Sequence, residues 1–257
     1  MPDVQHAQAA ERQVALWRRA QVSGDGTCHL VNGGPMYGAR YDLVRAYHEP
    51  GLAPALDQSG AFHIDAAGVP AYAHRFLEAW GFYDGLAAVQ QADRHWLHAR
   101  TDGSRLYSER YDWCGNYQEE RCAVRETDGL YAHLDMRGQR LSAVGYLYAG
   151  DYREQAAVVR YADDGVCGHV DLDSRPLHAR RFMDLDVFHK GYARARDHCG
   201  WFHVSRDGSD AYAARFANAE PFYNGTAFAE TLSGDRVLIT QEGRIARVII
   251  EGTRLAK

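Results

Sequence analysis

The segment Trp96-Leu97-His98-Ala99-Arg100-Thr101-Asp102-Gly103-Ser104-Arg105-Leu106-Tyr107-Ser108-Glu109-Arg110-Tyr111 joins two runs of apolar and aromatic residues through a turn. Trp96 to Thr101 has the composition of a short strand, and Asp102-Gly103 is a typical hairpin turn signal. Arg105 to Tyr111 forms another extended run. Glycines and polar turn residues interrupt every apolar run before it reaches the length of a helix. The segment therefore predicts short β-strands.

The same pattern recurs along the chain at intervals of 34 to 36 residues. A histidine stands five residues before a turn position in six copies: His29, His63, His98, His133, His169 and His203. Leu238 continues this column. The turn positions suit a left-handed or tight backbone, and they are Gly34, Gly68, Gly103, Gly138, Ser174, Gly208 and Gly243. We infer seven repeats of about 35 residues, the last truncated, each with three strands.

Two aromatic columns follow the same intervals. The first contains Tyr41, Phe76, Tyr111, Tyr146, Phe182 and Phe216, and the second, always six residues later, contains Tyr47, Phe82, Tyr117, Tyr152, Phe188 and Phe222. An arginine precedes the first column at Arg40, Arg75, Arg110, Arg181 and Arg215, with Gly145 as the exception. Three residues before that position lie Tyr37, Tyr72, Tyr107, Ser142, His178 and Tyr212. We expect the aromatic columns to be mostly buried, because they alone can supply a continuous core between repeats.

These columns resemble the WG-containing repeat family of bacterial proteins, whose unit has roughly the form F-x-x-G-L-A-x-V, then an aromatic-rich strand, then D-x-x-G. The clearest matches are Phe82-Tyr83-Asp84-Gly85-Leu86-Ala87-Ala88-Val89, Phe188-His189-Lys190-Gly191-Tyr192-Ala193, and Gly200-Trp201-Phe202-His203 with Asp207-Gly208. Glu120 and Gln155 replace the glycine of G-L-A. The resemblance extends from about Cys28 to Gly243. It implies a β-rich tandem array that usually serves as a binding or accessory module, and it supplies no catalytic motif.

The predicted fold class is all-β, because one three-stranded repeat cannot bury its own apolar face and successive repeats must cover each other. Seven repeats of similar length favour a closed, β-propeller-like ring. The alternative is an open β-solenoid or stack of hairpins, since these repeats are shorter than a common propeller blade of about 40 to 45 residues. Arg244 to Glu251 is an apolar-rich strand whose edge the first repeat would cover if the two ends complete each other.

Two regions follow from this reading. Residues 23–257 are the repeat domain, and residues 1–22 are an N-terminal capping segment. Ala7 to Gln21 has good helix formers with an apolar stripe, so we expect a short helix through Trp17. The competing interpretation is a strand at Leu16 to Gln21, where the first strand of the first repeat would fall.

Composition limits the classes of function. The 257 residues are 46% hydrophobic and 25% charged, with a mean hydropathy of −0.47, as in soluble globular proteins. No apolar run of 18 residues and no secretory signal occur, so we expect no membrane association and a cytoplasmic location. A net charge of −5 argues against nonspecific nucleic-acid binding. Five cysteines without a CxxC pair are expected to be reduced thiols.

The histidine column is the most prominent candidate chemistry. Six imidazoles at one level of a ring could line a channel, bind an anion or ligate a metal. The interpretation we favour is structural, with each histidine hydrogen-bonded to its neighbours because the same structural problem recurs. Similarly, the arginines could recognise a ligand beside aromatic faces, but we expect them to cap carbonyl groups of the adjacent repeat.

A unique site is expected where repeats deviate. Asp197-His198-Cys199 replaces a plain turn and could suggest a thiol nucleophile with a base, although adjacent turn residues point apart. We retain these three residues and the six histidines as candidate binding residues. No catalytic residue, metal or cofactor is predicted, since no nucleotide-binding motif or zinc spacing occurs.

The sequence favours a non-catalytic recognition or scaffold module that binds a protein, a peptide or a polar ligand. The alternative is a hydrolase or lyase with its site in the central opening of a ring.

Overall fold

The computed structural model describes residues 16–251. The described residues divide into two compact bodies, 16–129 with 134–139 and 130–133 with 140–251. The described residues form 22 strands in six small antiparallel sheets. No helix occurs between Cys28 and Gly243, all of which is described. The all-β expectation is therefore confirmed.

Eleven strands precede residue 130, and most are short because turn residues interrupt them. They are β1 (Gln21–Val22), β2 (His29–Val31), β3 (Gly34–Pro35), β4 (Leu43–Val44), β5 (Ala53–Asp57), β6 (Gly60–Ile64), β7 (Glu78–Tyr83), β8 (Leu86–Gln90), β9 (Trp96–Ala99), β10 (Trp113–Cys114) and β11 (Cys122–Arg125). Strands β1 to β3, β4 to β6 and β7 to β9 form sheets in chain order, and β10 pairs with β11.

Eleven further strands follow residue 130. They are β12 (Tyr131–Leu134), β13 (Tyr146–Ala149), β14 (Ala157–Tyr161), β15 (Cys167–Val170), β16 (Asp184–Leu185), β17 (Tyr192–Asp197), β18 (Gly200–Ser205), β19 (Asn218–Ala219), β20 (Thr226–Glu230), β21 (Arg236–Thr240) and β22 (Ile245–Ile250). Consecutive strands pair from β12 to β15, from β16 to β18 and from β19 to β22. The predicted strand at the end of the array is present as β22.

The position of the third strand was predicted wrongly in the repeat that contains His98. Arg105 to Tyr111 is not a strand, and only its ends bridge back to β9, Arg105 to Ala99 and Tyr111 to Trp96. The segment leaves the sheet because the side chain of Tyr107 turns inward to the His98 ring. The chain then enters β10, which pairs with β11.

The N-terminal prediction falls largely outside the described residues, which begin at Leu16. Leu16 and Trp17 have helical backbone, and the Ala20 N–H donates to the Trp17 carbonyl at 3.1 Å. Gln21 and Val22 then form β1, which pairs with β2. The expected helix from Ala7 onward therefore lies mostly outside the described residues, while the strand follows directly after Ala20.

The aromatic columns form the centre of the core, as predicted. Ten of the twelve side chains are buried, with at most 7% of their surface exposed, and only Tyr41 and Tyr47 of the first repeat are half-buried. All five cysteines are free thiols, and four of them are buried. The repeated positions thus provide most of the large buried side chains.

Phe76 tests this core. Replacing Phe76 by alanine should lower the free energy of unfolding by about 3 to 5 kcal/mol, because the truncation leaves a cavity around a buried ring. The adjacent Leu77 is 47% exposed, so Leu77→Ala should change stability by less than about 0.5 kcal/mol. Urea denaturation of both variants measures the difference. Equal effects of the two substitutions would place Phe76 outside the core.

Candidate functional site

The six histidines of the column lie on β2, β6, β9, β12, β15 and β18. Each is at most 1% exposed. Such burial requires hydrogen-bond partners for both ring nitrogens, since an unsatisfied polar atom in the core is costly. The structure supplies these partners in every case.

His98 shows the arrangement most clearly. Its Nε2 lies 2.8 Å from the carbonyl oxygen of Gly115, and its Nδ1 lies 2.6 Å from the hydroxyl of Tyr107. A carbonyl can only accept, so Nε2 carries the proton and Nδ1 accepts from the tyrosine. The ring of Tyr117 packs against the imidazole with centroids 4.7 Å apart. One histidine therefore joins a strand, the loop after it and the start of the next sheet.

The same cluster recurs in the other repeats. Nε2 of each remaining histidine donates to a backbone carbonyl at 2.7 to 2.9 Å: His29 to Arg45, His63 to Trp80, His133 to Gly150, His169 to Asp186 and His203 to Glu220. Nδ1 of three of them bonds a tyrosine hydroxyl, in the pairs His29–Tyr37, His63–Tyr72 and His203–Tyr212. Every imidazole also packs against the second aromatic column, with centroids 4.0 to 4.7 Å apart.

Two repeats replace the tyrosine. His178 occupies its place beside His169, with Nε2 at 3.2 Å from Nδ1 of His169. In the repeat of His133 the tyrosine position is Ser142, and two other hydroxyls lie near Nδ1 of His133. That of Ser174, from the following turn, is 3.2 Å away, and that of Tyr152 is 3.4 Å away. The nearest hydroxyl thus comes from a different repeat.

The glycines at the turn positions of the other repeats explain why position 174 can be a serine. An added Cβ at Gly138 would lie 2.1 Å from the ring of Tyr107, and similar overlaps of 2.4 to 2.7 Å occur at Gly68, Gly103, Gly208 and Gly243. These turns need glycine because an aromatic ring from the preceding repeat lies on them. Before Ser174 that ring is absent, because residue 142 is serine. Ser174 still adopts a left-handed backbone, with φ of 55°.

Burial lowers the pKa of these histidines, although the hydrogen bond to the carbonyl raises it in part. The value falls from 6.5 to about 4 for His63, His98, His133, His169 and His203, and it falls for His29 as well. The rings are therefore neutral at pH 7. With both nitrogens bonded inside the protein, none of the six offers a ring nitrogen to an external ligand in this structure.

The arginines of the column also bond within the protein, although Arg40, Arg110 and Arg181 are exposed and the partners differ from those expected. The Arg75 guanidinium donates to the carbonyls of residues 72–74 at 3.0 to 3.1 Å and lies 3.9 Å above the Phe62 ring. Arginine thus caps its own loop rather than the adjacent repeat, because the ring below it holds the guanidinium there. The same capping occurs at Arg40 with residues 37–39 and at Arg215 with residues 212–214. Arg110 and Arg181 pair with aspartates instead, Arg110 with Asp93 and Arg181 with Asp163 and Asp164.

Asp197, His198 and Cys199 form the hairpin turn between β17 and β18, and the side chains of the latter two are exposed. One carboxylate oxygen of Asp197 accepts from the Cys199 N–H at 2.8 Å, and the other accepts from Arg215 Nε at 2.8 Å. The three side chains therefore do not converge on one point. Within residues 16–251, no group of three or more histidine, cysteine, aspartate or glutamate side chains is arranged to hold a metal ion.

A surface groove of about 290 Å³ is lined by residues outside the histidine, arginine and aromatic columns. Apolar side chains from β4, β5 and the start of β7 line it, and the half-buried Trp80 is one of its walls. Two exposed charges of opposite sign, Arg45 and Glu78, also line the groove. Trp80 continues into a cluster of indoles, with centroids 5.1 Å from Trp96 and 6.4 Å from Trp113.

Sequence reasoning missed this groove. Its one available signal was Leu77, an apolar residue directly after the first aromatic column, where the first repeat has Asp42 and the next has Asp112. Leu77 is 47% exposed and lines the groove. Solvent exposure beside a buried phenylalanine is set by strand geometry, which the residue type alone does not report.

No family model and no curated protein sequence matches the chain. Among solved structures it is similar to a eukaryotic initiation factor, with a TM-score of 0.52 and 12% identity over 86% of this chain and 69% of that chain. It is also similar to BamB from Moraxella catarrhalis, with a TM-score of 0.45 and 11% identity over 90% and 84%. For Saccharomyces cerevisiae Sqt1 the TM-score is 0.42, with 12% identity over 87% and 75%. The likeness to the initiation factor places the fold among propeller-like β proteins.

The neutral histidines predict acid-sensitive folding. An unfolded histidine binds a proton near pH 6.5, whereas the buried ring resists until about pH 4, so stability is complete above about pH 6.5 and is lost as pH falls. Each of the five histidines whose pKa falls to about 4 should cost about 2 kcal/mol between pH 6.5 and 5. Five such losses rival the total stability of a domain, about 5 to 15 kcal/mol.

Urea denaturation across this pH range measures the effect. His98→Gln should reduce the loss of stability between pH 6.5 and 5 by the contribution of one histidine. Stability that does not change between pH 7 and 5 would contradict the buried neutral state.

The serine exchange predicts coupling between two repeats. Ser142→Tyr alone should destabilise the fold, because the new ring would meet the side chain of Ser174. Ser174→Gly alone should also destabilise it, since His133 loses a hydroxyl partner. The double variant restores the tyrosine–glycine arrangement of the other repeats and should recover about 1 to 3 kcal/mol relative to the sum of the two single losses. Additive losses in denaturant titrations would show that the two positions are independent.

Proposed function

We propose that this protein is a non-catalytic recognition module that binds an extended segment of a partner protein in the groove beside Trp80. The observation that carries the proposal is the groove itself, which combines an apolar lining, an indole and two opposite charges on the surface. Aromatic and apolar pockets with a few polar groups are typical of ligand sites. A peptide with an apolar side chain between an acidic and a basic residue would complement this surface.

The internal use of the other reactive side chains supports binding over catalysis. A hydrolase or lyase needs an acid, base or nucleophile aimed at a substrate. The six histidines are bonded inside the protein, and Asp197 pairs with Arg215. Cys199 is exposed at a hairpin turn. These placements favour a recognition role.

Three finer expectations remain predictions. They are closure of seven repeats into a ring, membership of the WG-containing repeat family and a cytoplasmic location. A left-handed turn supports the family assignment, since Asp84-Gly85 of the best-matching segment has positive φ at both residues. Gln155, which replaces the motif glycine, keeps a φ of 60°. No helix among residues 16–251 is long and apolar enough to span a membrane.

The groove can be tested with a displayed peptide library. Peptides selected on the wild-type chain should bind Leu77→Asp at least about tenfold more weakly, because a carboxylate replaces an apolar contact. Leu147→Asp is the matched control, since Leu147 also follows an aromatic of the first column and is likewise 47% exposed. Circular dichroism confirms that both variants fold. Selected peptides that bind Leu77→Asp as well as the wild type would place recognition elsewhere.

A further inference from the structure

Strand β22 is the outermost strand of the last sheet, and its side chains are uncovered. Ile245, Val248, Ile249 and Ile250, which we name the β22 patch, are 44 to 55% exposed. Four β-branched residues on one edge strand, interrupted by Ala246 and Arg247, form an apolar surface of the kind that binds another protein. Beside it, Phe228 is 52% exposed and lines a groove of about 210 Å³ together with Ile249 and Ile250.

The rest of the fold shows what normally covers this position. In the repeat of His98, the matching segment ends at Tyr111, which bridges back to Trp96, packs on the Tyr107 ring with centroids 5.7 Å apart and is 7% exposed. In the last repeat, Ile250 pairs back to Arg236 in the same way but is 55% exposed. The surface that fits the patch is therefore another apolar strand of the same kind.

The shape of β22 favours side-chain contacts over a continuous backbone ladder. Its pairing with β21 skips Ala246 and Ile249, so β22 contains two bulges. Bulges disturb the even spacing of the free backbone groups at an edge. They also leave apolar side chains on both faces, with Val248 opposite the buried Val237 and Ile250 opposite Arg236.

The charges at the two ends of β22 favour one partner and one direction of the partner strand. Arg244 precedes the patch and Glu251 follows it. We propose that the β22 patch binds the β22 patch of a second copy of this chain, with the two strands antiparallel about a twofold axis. Arg244 of each copy then faces Glu251 of the other, whereas a parallel arrangement would place like charges side by side. The exposed Arg247 lies between Ile245 and Val248 on the same strand, and its long side chain can reach solvent beside the contact. Arg244 already contacts Glu242 at 3.3 Å, but both side chains are more than 60% exposed and free to rearrange.

Analytical ultracentrifugation over a range of concentrations tests the proposal. The wild-type chain should dimerise, and Val248→Lys should raise the dimer dissociation constant by at least about tenfold, because an unpaired cation enters an apolar contact. Val144→Lys, at a residue that is 61% exposed outside β22, should leave the dimer intact. Circular dichroism shows whether each variant remains folded. A monomeric wild-type chain, or a dimer insensitive to Val248→Lys, would overturn the proposal.

A charge swap tests the antiparallel direction. Arg244→Glu and Glu251→Arg should each weaken the dimer, since each places like charges opposite one another at both ends of the interface. The double variant reverses both partners and should restore the wild-type dissociation constant. If the double variant is as weak as the single variants, the antiparallel contact is wrong.

Discussion

A neutral imidazole buried in the core is the constraint around which each repeat is built. It must donate from one nitrogen and accept at the other, and these two requirements fix the loop that brings a hydroxyl and the strand that brings a carbonyl. For His98 the partners lie nine and seventeen residues along the chain, at Tyr107 and Gly115. Tyr117 then closes the cluster by packing on the ring. The constant spacing of the columns follows from this geometry.

Much of the fold could be predicted because buried positions require particular residue types. Phe82 and Phe188 recur at one position since only a large apolar ring fills that space, and the histidine positions fell on strands. The path of Arg105 to Tyr111 could not be predicted, because an alternating aromatic run suits a strand whether or not Tyr107 is needed elsewhere. The exposure of Leu77 was equally hidden, since its neighbour Phe76 is buried and both are apolar.

The side chains of the repeated columns bond within the protein, and the surface groove is lined by other side chains. Histidine and arginine are the residue types that the sequence marks as candidates for function. In the structure, the histidines and arginines of the columns form their hydrogen bonds within the protein. The surface that remains for recognition is made of less distinctive residues, such as Leu43, Leu77 and Trp80 in the groove. Recognition can therefore diverge without disturbing the buried cluster, because the two sets of side chains hardly overlap.

The exchange at Ser142 and Ser174 bears on how such an array evolves. Tyrosine with glycine and serine with serine are two complete solutions to the same contact, but each solution is shared between consecutive repeats. A duplication that copied the repeat containing Ser142 to another place would bring a serine against a glycine turn, leaving the histidine without the hydroxyl of the turn residue and the turn without its covering ring. The residues at positions 142 and 174 must therefore be kept as a pair, so a single repeat cannot be copied or exchanged at this point without its neighbour.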